Sequence, residues 1–343
     1  MRRTAALILV GIGVFLAVLA LTVKTYVEPR AVRVPLDQSG QSLSQSDGRS
    51  KVLDQGSLTV REGLTFKARR EVRGDVAAAT TSGRSDDVAV WKTTNILTDT
   101  EGNVINVTSE TIALDRVTAA AVNCCGEELG GDPAVRHQGV MLKFPFDTRK
   151  GSYSYWDSTA ARAFPMEFAA QERRNGLDVY HFVQKIPATP LREAAVPGSL
   201  VGAPPTEVVD TTVMYTNTRE VWVEPTSGII VFGREAPKQT LQDAAGTDLL
   251  TIFETSIGWT QETQDKATQD AKDAKGQLFS LRTLIPAGAG GLGLFLVVGG
   301  LVLLGSARRQ PGGRARRALD VDAAGHPDTV DVRGVQAPAD DVR

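Results

Sequence analysis

The chain has 343 residues, of which 42% are hydrophobic and 23% charged, with a formal net charge of -2 and a pI near 6.0. That balance excludes a general electrostatic attraction to nucleic acid. Three histidines and two cysteines are too few soft ligands for a metal-rich protein.

In chain order, residues 1–4 are a basic start and residues 5–24 a first membrane helix. Ala5 to Val23 runs without a charge, and a bilayer core of about 30 Å is crossed by about 20 helical residues. A cleaved signal peptide shares the basic start and apolar core. The run continues through Leu21-Thr22-Val23, and that length favours a retained anchor. No cysteine follows it, which rules out lipoprotein processing. A second helix is predicted over 283–305. Arg2 and Arg3 precede the first span, and Arg308, Arg309, Arg314, Arg316 and Arg317 follow the second. Cytoplasmic flanks carry the excess of Lys and Arg. Both termini are therefore expected in the cytoplasm, residues 25–282 outside the cell membrane, and residues 306–343 as a disordered cytoplasmic tail. The arginines of that tail can bind anionic lipid heads, but a topology signal accounts for them.

The central region reads as mainly β. Val88–Trp91, Val140–Phe144, Thr212–Tyr215 and Glu220–Val223 are rich in β-branched and aromatic residues and predict strands. Turns are predicted at Leu97–Val104, Phe146–Gly151 and Val223–Ile229. Leu114–Ala119 has the same outline with Ala where Gly is expected. Asn175-Gly176 predicts a type I′ turn. Close hairpins imply antiparallel pairing, and one large sandwich- or barrel-like β domain, closed or nearly closed, is expected. Gly40 to Gly56 is polar and predicts an irregular surface segment. Pro187, Pro190, Pro197, Pro204 and Pro205 predict a loop-rich crossing. Residues 259–282 predict a charged stalk helix, with Glu262 and Lys266 at i,i+4 spacing.

Cys124 and Cys125 are adjacent. Outside the cell a disulfide is favoured over free thiols, and a vicinal bridge forms a stiff ring that kinks the backbone, with Gly126 easing the exit. Three readings stand: a strained structural turn, a redox or metal site, and pairing between chains.

No motif for metal-dependent, serine-dependent or phosphate-binding catalysis is present, so no enzyme activity and no cofactor are expected. His181 is predicted as a half-buried sheet residue, His137 as exposed in a loop, and His326 falls in the tail. Phe144, Phe146, Tyr153, Tyr155, Trp156, Phe164 and Phe168 cluster in sequence. They fill a core, or some of them line an apolar cavity. Alternation places Tyr153 and Tyr155 on one strand face and Trp156 on the other.

Lys143-Phe144-Pro145-Phe146-Asp147-Thr148, Tyr155-Trp156-Asp157, Asn175-Gly176-Leu177-Asp178-Val179-Tyr180 and Trp222-Val223-Glu224-Pro225-Thr226-Ser227-Gly228 resemble an actinobacterial membrane-protein family called porin PorA. The likeness extends to Met1-Arg2-Arg3, Val34-Pro35-Leu36-Asp37, Asn123-Cys124-Cys125-Gly126 and the final span. Ala119-Ala120 departs from the Thr-Gly of the family pattern. The family name implies a pore. A membrane-crossing barrel, however, needs strands of about 9–11 residues with an apolar lipid-facing row, and these strands read as short, with heavily charged segments between them. The layout of helix, outer β domain and helix is also similar to class B scavenger receptors, which implies a tunnel for lipid by architecture alone. The expected function is an anchored envelope module that binds or transfers a lipid or other apolar ligand, with the bilayer as partner. A channel component and a non-catalytic scaffold are the alternatives.

Overall fold

The computed structural model describes residues 2–308. The tail expected over 306–343 lies outside the described residues from 309 onward, as does His326.

The first helix, α1 (Arg2–Thr22), passes through a π-helical turn at Val23–Val27 into α2 (Glu28–Ala31). At the other end α4 (Gln261–Phe279) passes through a second π-helical turn at Ser280–Leu284 into α5 (Ile285–Arg308). Thr260 caps α4 by accepting from the Thr263 amide. On the stalk, Lys266 pairs with Asp270 at 3.0 Å, not with Glu262 as its spacing suggests. Within an apolar phase only internal hydrogen bonds satisfy a backbone, and uncharged runs of this length do so as helices.

α1 and α5 pack together along small residues. A Cβ on Gly13 would lie 2.6 Å from the Gly293 carbonyl oxygen, and one on Gly293 would lie 2.7 Å from that of Gly13. Backbones in lipid approach this closely only where side chains are absent. Gly13→Leu is expected to separate the pair. Disulfide trapping of cysteines placed at Ala20 and Gly290, where a Cβ on Gly290 lies 3.7 Å from that of Ala20 and a bridge fits, is efficient in the parent and should fall at least severalfold. Unchanged trapping would refute the glycine contact.

Between the anchors lie β1 (Ser39–Ser46), β2 (Ser50–Asp54), β3 (Thr59–Leu64), β4 (Lys67–Gly74), the short α3 (Val76–Thr81), β5 (Val88–Thr98), β6 (Val104–Asp115), β7 (Glu128–Leu129), β8 (Ser152–Asp157), β9 (Arg162–Arg174), β10 (Leu177–Pro197), β11 (Val208–Glu224), β12 (Ile229–Glu235), β13 (Lys238–Gln242), β14 (Asp248–Glu254) and β15 (Ile257–Trp259). They form one antiparallel sheet in the order β3-β2-β14-β13-β11-β12-β15-β1-β4-β5-β6-β7, with β10, β9 and β8 branching from β11. The mainly β, antiparallel reading holds. The sheet is open: β6 and β8 are spanned only by single bridges through Ala120, Ala121 and Val140. Ala119, Cys125 and Leu142 in that stretch have positive φ, which interrupts a pleated ladder.

Three local expectations are corrected by tertiary pairing. Gly40–Gly56 is not irregular, because its polar residues form β1 and β2; β1 pairs with β4 and β15. Pro187, Pro190 and Pro197 lie inside β10, whose pairing with β11 shifts register between Ile186 and Thr189 and between Pro190 and Arg192. Bulges of this kind accommodate residues that cannot donate to a ladder. Val140–Phe144 is not a strand but a set of isolated bridges. The turns at Leu97–Val104, Asn175-Gly176 and Val223–Ile229 place Gly102, Gly176 and Gly228 at positive φ, whereas in Phe146–Gly151 it is Asp147, at 54°, and not Gly151 that takes it. Asn175 and Gly176 both have positive φ, at 49° and 81°, as a type I′ turn requires. Ala119 takes φ 55° in the place where Gly is expected.

Candidate functional site

The seven sequence-selected aromatics do not share one space. Phe144 and Tyr155 are buried with Met166, Phe182, Val221 and Val223, and Tyr153 and Phe168 pack against that cluster. Trp156 belongs to a second cluster with Trp91, Ile112 and Met141, so the alternation across β8 is as expected. Phe164 sits in a third with Ile186 and Tyr215. Phe146 is half-buried, with the Lys143 ammonium 4.1 Å above its ring. Phe144 stacks on Phe182 at 4.9 Å and meets Tyr153 edge-to-face at 5.1 Å. Two surface clefts, of about 160 Å³ beside Lys238 and Asp248 and about 90 Å³ beside Trp259 and Lys266, are lined by none of the seven.

Cys124 and Cys125 form a vicinal disulfide, with Cys125 at positive φ and both residues packed against Ala79, Val88, Val90 and Ala113. Its flanking residues close the turn. The Asn123 side chain donates to Glu127 and to the His137 carbonyl. His137, expected to be exposed, is only 2% exposed. Its ring bridges two buried carboxylates, Nδ1 to Glu127 at 2.9 Å and Nε2 to Glu110 at 3.1 Å. Glu110 also accepts from Trp156 Nε1 and Ser158. Burial works against the imidazolium, but hydrogen bonds to Glu110 and Glu127 outweigh it and hold the His137 pKa above its ordinary value. No spacing rule connects Glu110 with His137, so only folding reveals this group. Among the described residues no three His, Cys, Asp or Glu side chains converge as a metal cage.

A second buried network is built by strand register. Gln184, Arg219 and Glu235 are cross-strand neighbours on β10, β11 and β12. The Arg219 guanidinium donates to Asp157, Glu235 and Gln184 at 2.8–3.0 Å. Tyr215 and Asn217 complete it. Burial opposes the Arg219 charge, yet Glu235 and Asp157 hold its pKa well above the ordinary arginine value. On the neighbouring strands the His181 ring stacks on Trp222 at 4.2 Å and contacts Glu220 and Glu172; it is half-buried, as its place in the sheet suggests.

The third feature is where the domain meets the anchors. The Phe144–Thr148 loop hydrogen-bonds the Glu224–Gly228 turn through the Phe144, Asp147 and Thr148 amides. Lys143 donates to the Phe144 and Ser227 carbonyls. Lys275, on α4, lies 3.7 Å from Glu224. Arg282, in the π-helical turn before α5, grips Asp147 with two parallel bonds of 2.7 and 2.8 Å and reaches Glu28, at the exit of the first helix, at 3.3 Å. One guanidinium thus ties both anchors to the β domain, with the bidentate geometry that favours arginine over lysine. Tyr26, Phe279 and Leu284, 57–59% exposed, lie within three residues of Glu28 or Arg282 in sequence.

A family model described as Porin PorA matches residues 5–302. The chain belongs to the porin PorA family. The matched segment takes in both candidate membrane helices, the whole sheet and the Arg282 junction. A protein of Corynebacterium amycolatum named Porin PorA is 26% identical over 384 aligned positions, covering 87% of this chain and 97% of the relative. One of the same name from Corynebacterium resistens is 23% identical over 416 positions, covering 90% and 98%. Family membership and two helices long and apolar enough to cross a bilayer make this a membrane-associated protein.

Proposed function

We propose that the protein is a non-catalytic, doubly anchored module of the cell envelope whose β domain sits outside the membrane and binds a lipid or other apolar ligand at its membrane-proximal base. The observation that carries this reading is a patch of half-buried aromatics placed beside the anchor junction. Phe146, Tyr153, Phe168 and Tyr180 are all incompletely buried. Tyr153 is hydrogen-bonded to the Arg149 backbone and Phe168 to that of Gly151. Both belong to the segment that follows Asp147, the partner of Arg282. Exposed aromatic surface next to a bilayer is where an acyl chain leaving the leaflet finds apolar contact. Because the deeper rings are packed on one another, the ligand is accommodated along a surface and not in a tunnel.

The test uses the full chain in lipid nanodiscs containing a phospholipid with a photoactivatable acyl chain. Adducts are expected on peptides spanning residues 146–182 as well as on the spans. Adducts confined to α1 and α5 would eliminate the reading. The name carried by the relatives makes conduction the second reading. The glycine contact between α1 and α5 leaves no passage within one pair, so a pore would form between copies. Discrete conductance steps in planar bilayers would support it, and silence from folded protein would remove it.

A further inference from the structure

The loop after the Arg282 clamp carries a charge pattern that the apolar patch alone does not use. Asp147-Thr148-Arg149-Lys150-Gly151-Ser152 is exposed at Arg149, Lys150 and Gly151. The acids at the junction are already matched: Asp147 by Arg282 and Glu28 by both Arg282 and Lys24. Among the described residues, Arg149 and Lys150 form no ion pair. Glu167, opposite Ser152 on β9, is the carboxylate one strand away. Lys150 leans over the patch, its ammonium 5.4 Å from the Tyr180 ring and 5.7 Å from that of Phe168.

The height of this tip follows from the helix. Arg282 precedes Ile285, the first residue of α5, by three residues, at most about 4.5 Å along the axis, because a π-helical turn rises less per residue than an α-helix. The headgroup layer on each side of the hydrocarbon is roughly 5–7 Å thick. The Asp147 carboxylate, bonded to Arg282, therefore lies at headgroup depth, and Arg149 is two residues further along the same loop. Two unneutralised cations at that depth, bordering half-buried aromatics, match a molecule with a phosphate at one end and hydrocarbon at the other.

We propose that Arg149 and Lys150 are a binding site for the phosphate headgroup of an anionic phospholipid in the leaflet beneath the β domain, with the acyl chains against Phe168 and Tyr180. This rests on the apolar-ligand reading above and names the ligand's class. A lipid surface, and not free phosphate, is the source, because the aromatic patch and the depth of the tip both require hydrocarbon nearby.

Full-length protein in nanodiscs of mixed phosphatidylglycerol and phosphatidylcholine is released into the gas phase, and the retained lipids are counted by mass spectrometry. The parent is expected to retain phosphatidylglycerol preferentially. The double variant Arg149→Gln, Lys150→Gln should lose about thirtyfold of that preference, since one basic group at a surface contributes about a factor of five. Arg192→Gln, at an exposed position on β10 that forms no ion pair among the described residues, should retain the parental ratio. Equal retention of both lipids by the parent, or an undiminished preference in the double variant, would overturn the headgroup site. If patch adducts from the photoactivatable lipid persist in that case, the apolar-ligand reading survives. If no adducts form at residues 146–182, that reading fails first.

Discussion

Arg219→Met is expected to lower folding stability by about 3–5 kcal/mol, the usual cost of removing one partner from a buried ion pair. Asp157 is 1% exposed and Gln184 fully buried, so neither can turn to water. Arg219 is the cation in hydrogen-bond contact with both Asp157 and Glu235. Without it two carboxylates face each other with only Tyr215, Asn217 and the Ala160 amide as donors. Arg219→Lys should recover only part of the loss, because an ammonium on a flexible stem cannot reproduce the planar fork. Adding Asp157→Asn and Glu235→Gln to Arg219→Met should restore much of it by removing the stranded charges. Urea midpoints of the detergent-solubilised protein measure all three. A loss below about 1 kcal/mol for Arg219→Met would show that the network behaves as a surface salt bridge.

The second large effect is on pH dependence. Burial pushes the Lys143 pKa from the ordinary 10.5 down to about 7, with Glu224 pulling part of the way back. Below pH 7 the side chain is charged in the folded and unfolded states alike, and stability does not change through it. Between about 7 and 10.5 the unfolded chain holds a proton that the folded chain has released, so stability rises with pH by up to about 1.4 kcal/mol per unit. Above 10.5 both states are neutral and the contribution is flat again. The full span amounts to a few kcal/mol. Because other groups titrate in this window, the quantity to measure is the difference in slope between the parent and Lys143→Met, which lacks the titrating group. Parallel stability curves from pH 7 to 10 would refute a depressed Lys143. Its position gives this functional weight: Lys143 fastens the loop that carries Asp147 to the Glu224–Gly228 turn.

What could be read from the residues in order is what is local. An uncharged run of about 20 residues has one stable form in lipid, so both anchors were evident. Asn175-Gly176 selects a type I′ turn, and Glu224 with Gly228 closes a hairpin, because each depends on four or five consecutive residues. Alternation across Tyr153, Tyr155 and Trp156 also survived folding, since it follows from the pleat. The vicinal disulfide was one of three readings that the adjacent Cys124 and Cys125 left open, and the structure forms it. Family motifs spread along the chain pointed to porin PorA, and the match over residues 5–302 established it.

The remainder depended on contacts between distant segments. Polar Gly40–Gly56 has no intrinsic reason to be extended until β4, β15, β3 and β14 offer it hydrogen bonds. Prolines read as a break, yet β10 keeps them by shifting register against β11. His137 sits in a loop with no helical or strand period, and its burial comes from Glu110 and Glu127, contributed by separate segments. Arg219, on β11, finds Asp157 only through folding, since β8 lies three strands away with β9 and β10 between them. The sequence by itself determined two helices long and apolar enough to cross a membrane, the β character of what lies between them and most of the tight turns, since each is set by neighbours a few residues apart. Tertiary structure alone decided which charges are buried together, that the sheet stays open, and that Arg282 joins both anchors to the loop bearing Arg149 and Lys150. Those outcomes hinge on register and close approach across dozens to hundreds of residues, where no local propensity acts.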